Sequence, residues 1–116
     1  VQVWQRYAAS CWNDIDQGDT LKMADAREAD KEKHVCLLQL DVYRRGYQLW
    51  TNPGDVVFEP FGGQGSGGHD AMEMGRRYIS AELKESYFRQ LSLNMEDADK
   101  RSGQLSMLDL MGIVAA

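Results

Sequence analysis

The chain has 116 residues, 43% hydrophobic and 27% charged, with a formal net charge of −5 and a pI near 4.9. That length supports one small globular domain with a modest core, and the acidity argues against a strong DNA-binding surface, which needs a basic patch. No apolar run approaches the ~20 residues of a membrane span and no secretory leader is visible. Cys11 and Cys36 are too far apart for a C-x-x-C metal or redox motif. No metal site and no membrane are expected, and the cytoplasm is the expected compartment.

Residues 1–33 read as an irregular, charged lead-in. Val1 to Leu21 carries Trp4, Tyr7 and Trp12 between polar breaks at Asn13-Asp14 and Gln17-Gly18-Asp19. Its poor periodicity predicts extended segments and loops, with Trp4 and Tyr7 as buried anchors. Thr20 to Lys33 alternates alanine with both signs of charge, which suits a solvated helix or a mobile connector.

Residues 34–98 carry the organised part. Leu38, Val42, Leu49 and Trp50 recur at helical spacing, with Tyr43 and Tyr47 beside them, and predict a helix over 38–50. Asn52-Pro53-Gly54 is a turn. Asp55 to Phe58 is a short β-branched strand that closes on Glu59-Pro60. Five glycines follow within seven positions, Gly62, Gly63, Gly65, Gly67 and Gly68, and a helical pattern resumes near Asp70 and stops at Gly75. Tyr78 to Ala81 is a second strand, ending at Glu82, and Leu83, Tyr87, Phe88, Leu91 and Met95 mark a helix from about Lys84 to Asp97.

The fold class expected is therefore α/β: a partial Rossmann-like sheet built from two β-α units plus a preceding helix. Glu59 and Glu82 would end neighbouring parallel strands, where open α/β sheets bind ligands. Residues 99–116 are expected to be a linker, Asp99 to Gln104, and an apolar tail, Leu105 to Ala116. The tail could be a third strand, a docking helix or an oligomerisation segment.

A glycine-dense loop at a strand end lets backbone approach a ligand closely. Glu82 follows Gly63 by 19 positions, near the offset of about 20 of a ribose-binding carboxylate. The pair reads as an adenosine-cofactor site. The plainer alternative is that the glycines only make turns and the two glutamates are solvated strand ends. No Lys-Ser/Thr follows the loop, which excludes a P-loop NTPase.

Glu59-Pro60-Phe61-Gly62-Gly63-Gln64-Gly65 resembles the D-P-F-x-G-x-G motif I of S-adenosylmethionine-dependent DNA amino-methyltransferases. Asn52 to Val57 and Gly75 to Leu83 are similar to the same family, and the likeness, to methylases of phage and prophage origin, runs from Val3 to about Phe88. The resemblance implies that S-adenosylmethionine is the cofactor. Phe61, Gly63 and Gly65 would shape the pocket for its methionine and ribose, Glu59 would sit near the methionine amino group, and Glu82 would bind the ribose hydroxyls. His34-Val35-Cys36-Leu37-Leu38-Gln39-Leu40 resembles motif X, which adds His34 and Gln39 to the cofactor set. There Leu37 replaces the usual proline, as Glu59 replaces the usual aspartate.

The family's catalytic D-P-P-Y tetrapeptide is missing, since Pro53 and Pro60 are the only prolines and are not adjacent. No catalytic residue is assigned. The resemblance implies the cofactor-binding, C-terminal half of an adenine-N6 or cytosine-N4 methyltransferase, inactive alone and meeting DNA only within an intact enzyme. Two strands with open edges need completion, so a homodimer or a protein hetero-complex is expected. The second reading is a small acidic phage protein, descended from a methylase, that inhibits a defence nuclease or CRISPR effector by binding it.

Overall fold

The computed structural model describes residues 1–21 and 36–110, with side chains as far as 102. The elements run α1 (Gln2–Tyr7), α2 (Leu40–Trp50), β1 (Val56–Glu59), α3 (Ser66–Glu73), β2 (Arg77–Ser80) and α4 (Glu85–Leu110). β1 and β2 pair in parallel, Val56 opposite Arg77 and Glu59 opposite Ser80, with α3 as the crossover. The partial Rossmann-like sheet is present: two β-α units preceded by a helix.

α3 is the hub. It packs on α2, on α4 and on both strands, and every residue from Ser66 to Ala71 is buried. Among the described residues the apolar core is small (Leu40, Ala71, Leu91, Ala98) and is outnumbered by the buried polar set of Arg45, Gln64, Ser66, His69, Asp70 and Arg76. Polar groups therefore do much of the fastening. Arg76 shows how: its guanidinium donates to Thr51 Oγ1 (3.0 Å) and to the carbonyls of Tyr47, Thr51 and Met74. One cation thus meets the carbonyl-rich ends of α2 and α3 together.

Three local expectations need correction. The lead-in is not wholly extended, because Gln2–Tyr7 forms a helix. Nor is Trp4 a buried anchor, being 59% exposed. The anchoring runs through Tyr7 and Trp12, whose rings lie 5.1 Å and 5.5 Å from the Arg45 guanidinium. Second, α3 begins at Ser66 and not near Asp70, since Gly65 caps it in the left-handed region (φ 86°) and Gly67 and Gly68 are helical. Glycine is demanded at 67 by close approach: a Cβ there would meet Glu59 Oε2 at 2.5 Å and Tyr43 Cε1 at 2.9 Å.

Third, the stretch 99–104 is not a linker, because α4 continues unbroken through it to Leu110. Its charges are the solvent side of a one-sided helix. Arg101 pairs with Asp97 one turn back and reaches Glu73 of α3 at 3.5 Å, while Ala98 is fully buried. The charged stretch from 22 onward, His34, and the end of the tail (111–116) lie outside the described residues.

Among the described residues the sheet is covered on one face only. Val57, Glu59, Tyr78 and Ser80 are the more sheltered residues of their strands, and Val56 (47%), Phe58 (65%) and Ile79 (57%) are exposed on the other face. No helix among the described residues is long and apolar enough to cross a membrane.

Candidate functional site

The crevice at the carboxyl ends of β1 and β2 is stitched together by backbone hydrogen bonds. Ala81 N–H donates to the Glu59 carbonyl (3.2 Å), Gly62 N–H to the Ala81 carbonyl (2.9 Å) and Gly65 N–H to the Gly62 carbonyl (2.8 Å). These bonds fold the glycine loop over the strand ends. Gly63 N–H then donates to Glu82 Oε2, and Lys84 N–H to Glu82 Oε1, each at 2.8 Å. The two residues selected by spacing are therefore in direct contact. A carboxylate oxygen accepts more than one hydrogen bond, so Glu82 keeps capacity for a pair of hydroxyls.

Beside the loop lies a cavity of about 340 Å³. Its walls come from three places: Cys36, Leu37 and Leu38 ahead of α2, Tyr43 on α2 and Tyr87 on α4, and Phe61, Gly62, Gly63, Gln64 and Ser66 of the loop. Phe61 is 84% exposed, an apolar ring standing at the loop's edge. None of the lining side chains is charged.

Glu59 is placed differently from Glu82. Its carboxylate accepts hydrogen bonds from the hydroxyls of Tyr78 (2.5 Å) and Tyr43 (3.4 Å), beneath the start of α3. Tyr47 completes this layer by donating its hydroxyl to the Gly67 carbonyl at 2.9 Å. Burial, with the negative Glu59 adding to it, pushes the Tyr43 hydroxyl up to about 12 and raises Tyr78 and Tyr47 further. Glu59 is not among the residues that line the cavity.

The remaining expected cofactor residues divide. Phe61 and Gly63 line the cavity, whereas Gly65 turns toward α4, where a Cβ would meet Met95 Cε at 2.9 Å and Leu91 Cγ at 3.2 Å. Gln39 lies on the far side of its segment, its amide 3.5 Å from the Gln17 carbonyl, while its neighbours Leu37 and Leu38 face the cavity. His34 is outside the described residues.

Sequence reading missed Gln64, Tyr43 and Tyr87 as cavity residues. Gln64 was legible, sitting between two motif glycines. The tyrosines were not, because helical periodicity assigned them to a core face. Two residues of α4 support the loop. Asn94 of α4 donates its side-chain amide to the Gln64 carbonyl at 2.7 Å and itself accepts from Gln90 at 3.1 Å.

Behind the loop, His69, Asp70 and Glu73 of α3 form a cluster. His69 Nδ1 lies 3.2 Å from Asp70 Oδ1 and Nε2 lies 3.4 Å from Glu73 Oε1. Arg44 Nε approaches Asp70 Oδ2 at 3.1 Å, outside hydrogen-bond angles, and Arg101 approaches Glu73 at 3.5 Å. Cations already face both carboxylates, and the cluster reads as an ion network fastening α3 to α2 and α4.

Comparison with known proteins agrees with the fold class. The family model described as DNA methylase, of N6/N4 methyltransferase type, matches residues 2–93. A protein of Escherichia coli strain K12 named as a methylase, YubD, is 38% identical over 68 residues, which cover 59% of this chain and 28% of that protein. Among solved structures, a DNA modification methylase from Thermus thermophilus, complexed with S-adenosyl-L-methionine, superimposes with a TM-score of 0.61 at 21% identity. That match covers 84% of this chain and 33% of the other. The complex of M1.HpyAVI with SAM superimposes with a TM-score of 0.51 at 29% identity, over 56% and 32%. The chain thus spans about a third or less of the length of each of these three relatives.

Proposed function

The chain belongs to the DNA methylase family, and from that premise we propose that it is the cofactor-binding portion of an S-adenosylmethionine-dependent DNA amino-methyltransferase, acting on adenine N6 or cytosine N4. The observation that carries the reading is Glu82 fixed on the Gly63 amide at the carboxyl ends of two parallel strands, next to an uncharged cavity. A carboxylate so placed suits a ribose diol, and the cavity suits the remainder of an S-adenosyl ligand. When bound, the cofactor supplies the methyl group. The chain's own residues orient it: Glu82 holds the sugar, and Phe61 and the Leu37-Leu38 wall exclude water. Both methylases of known structure named above are complexes with that ligand.

In this reading the base chemistry is supplied by a catalytic half outside these 116 residues, in the same or a partner chain. D-P-P-Y is not in the sequence, and a carbonyl and a stacking aromatic at the flipped base are what that motif supplies. The partner would also complete the sheet. It would pair with the outer edges of β1 and β2 and cover Val56, Phe58 and Ile79, because parallel strands are normally buried on both faces. A second copy or a catalytic subunit could do this, and DNA would be engaged only by the complete assembly, given a net charge of −5.

Isothermal titration with S-adenosylmethionine tests the first part. Micromolar binding is expected, abolished in Glu82→Ala and in Gly63→Val, where a branched side chain would be strained at φ 54°. A well-folded chain that binds no S-adenosylmethionine would overturn the reading and leave an acidic protein-binding role as the alternative. Light scattering tests the second part: a monodisperse monomer in the presence of every candidate partner would overturn sheet completion.

A further inference from the structure

We infer that Glu59 is a positioning residue of the cofactor cavity and not one of its ligand residues: its carboxylate holds the Tyr43 ring in the cavity wall. This rests on the cofactor-site reading above and departs from the ammonium contact that the resemblance implies for this position. Reach and access decide the role. Glu59 ends β1, yet Oε2 accepts from the Tyr78 hydroxyl at 2.5 Å and Oε1 from the Tyr43 hydroxyl at 3.4 Å. Gly67 closes the space beside Oε2, since a Cβ added there would come within 2.5 Å of it. Of Tyr43, Tyr47, Glu59, Gly67 and Tyr78, which make up this layer, Tyr43 is the one that lines the cavity. What Glu59 does for a ligand there, it does through that ring.

Tyr43 needs such a hold. It is a wall of the loop cavity and also of a second, apolar cavity of about 400 Å³ between α2 and β1, shared with Val42, Trp50, Val56 and Val57. With open space on two sides, packing alone leaves the ring room to turn. Gly67 bounds its Cε1 edge, and the Tyr47 ring lies beside it with centroids 6.1 Å apart. Tyr78 pins the carboxylate, and the carboxylate in turn draws the Tyr43 hydroxyl, a charged acceptor strengthening a long bond. Supports of this kind keep binding residues in place before a ligand arrives. Burial and the negative Glu59 push the Tyr43 hydroxyl up to about 12, so it stays a donor at neutral pH.

Two ligands that share adenosine and a thioether separate the roles: S-adenosylhomocysteine carries the amino-acid end, and 5′-methylthioadenosine lacks it. Glu59→Gln keeps the reach and a hydrogen-bonding head but loses the charge, so both ligands should bind the 116-residue chain as they bind wild type. Glu59→Asp keeps the charge but draws back from both phenols, and should weaken both ligands alike, about tenfold. Tyr43→Phe, which leaves the strand end untouched, should match that loss, and adding it to Glu59→Asp should do no further harm. Tyrosinate absorbance gives an independent reading: without the Glu59 charge, in Glu59→Gln, ionisation should begin at lower pH. Selective loss of S-adenosylhomocysteine in Glu59→Gln would make the carboxylate the ammonium's partner. Unchanged binding in Tyr43→Phe, or additive losses in the double variant, would detach Glu59 from that ring. Each of these overturns the assignment while the cofactor site stands. Wild-type protein that binds neither ligand overturns the cofactor-site reading and this assignment with it.

Discussion

The glycine loop and the N-terminal lead-in are both poor in regular structure, yet they are held in opposite ways. The loop is fixed redundantly: by backbone bonds to β2, by Glu82, by Asn94, and by α4 side chains filling the space beside Gly65. The described part of the lead-in is attached at separate points along α2 and the residue before it. Arg45 lies between the Tyr7 and Trp12 rings and pairs with Asp14 at 2.7 Å and Asp41 at 2.6 Å, and Arg44 adds a bond to Asp19 at 2.9 Å. A ligand site needs donors pinned before the ligand arrives. A tether needs only to be attached.

The contrast can be broken most directly at Gly67. Gly67→Val would drive a side chain into Glu59, Tyr43 and Tyr47 and should cost about 3 kcal/mol or more, read as a lower urea midpoint for the whole chain. A cost near zero would mean that the layer beneath the loop is loose. Asn94→Leu removes one bond to the loop carbonyl and should cost about 1–2 kcal/mol. If the loop is as redundant as described, S-adenosylmethionine affinity falls in that variant but does not vanish.

Two pH effects sharpen the comparison further. Tyr43, Tyr47 and Tyr78 have folded-state pKa values raised by burial and by Glu59. Stability at the loop end is therefore fully present below the ordinary tyrosine value of about 10. It is lost as pH rises from there through the folded value, about 12 for Tyr43. Circular dichroism and tyrosinate absorbance should change together in that window, and a structure intact when the tyrosines ionise would refute it.

The smallest effect is at the tether. The Asp14 carboxyl is held below the usual carboxylate range by its hydrogen bond to Arg45, so its contribution is present above about pH 4. That contribution fades as pH falls through the folded value. Tryptophan emission should then report release of Trp12 while helical signal persists. Arg45→Met should produce the same emission at neutral pH, with cofactor affinity unchanged.

The sequence by itself determined the strand–loop–helix order, the two carboxylates and their juxtaposition, because all of these are local. Glycine density marks where backbone must approach closely, β-branched residues mark the strands, and one β-α unit fixes the distance from Gly63 to Glu82. Tertiary structure decided what depends on neighbours far along the chain. Glu59 and Glu82 look alike as strand ends, yet Tyr78 and Tyr43 engage the first and loop amides the second. Gly65 and Gly63 look alike in the motif, yet only Gly63 faces the cavity, since Leu91 and Met95 crowd the other. The charged run after Asp97 reads as linker until Ala98 and Arg101 meet α3. Composition records how polar a segment is, and packing alone records which of its sides is inside.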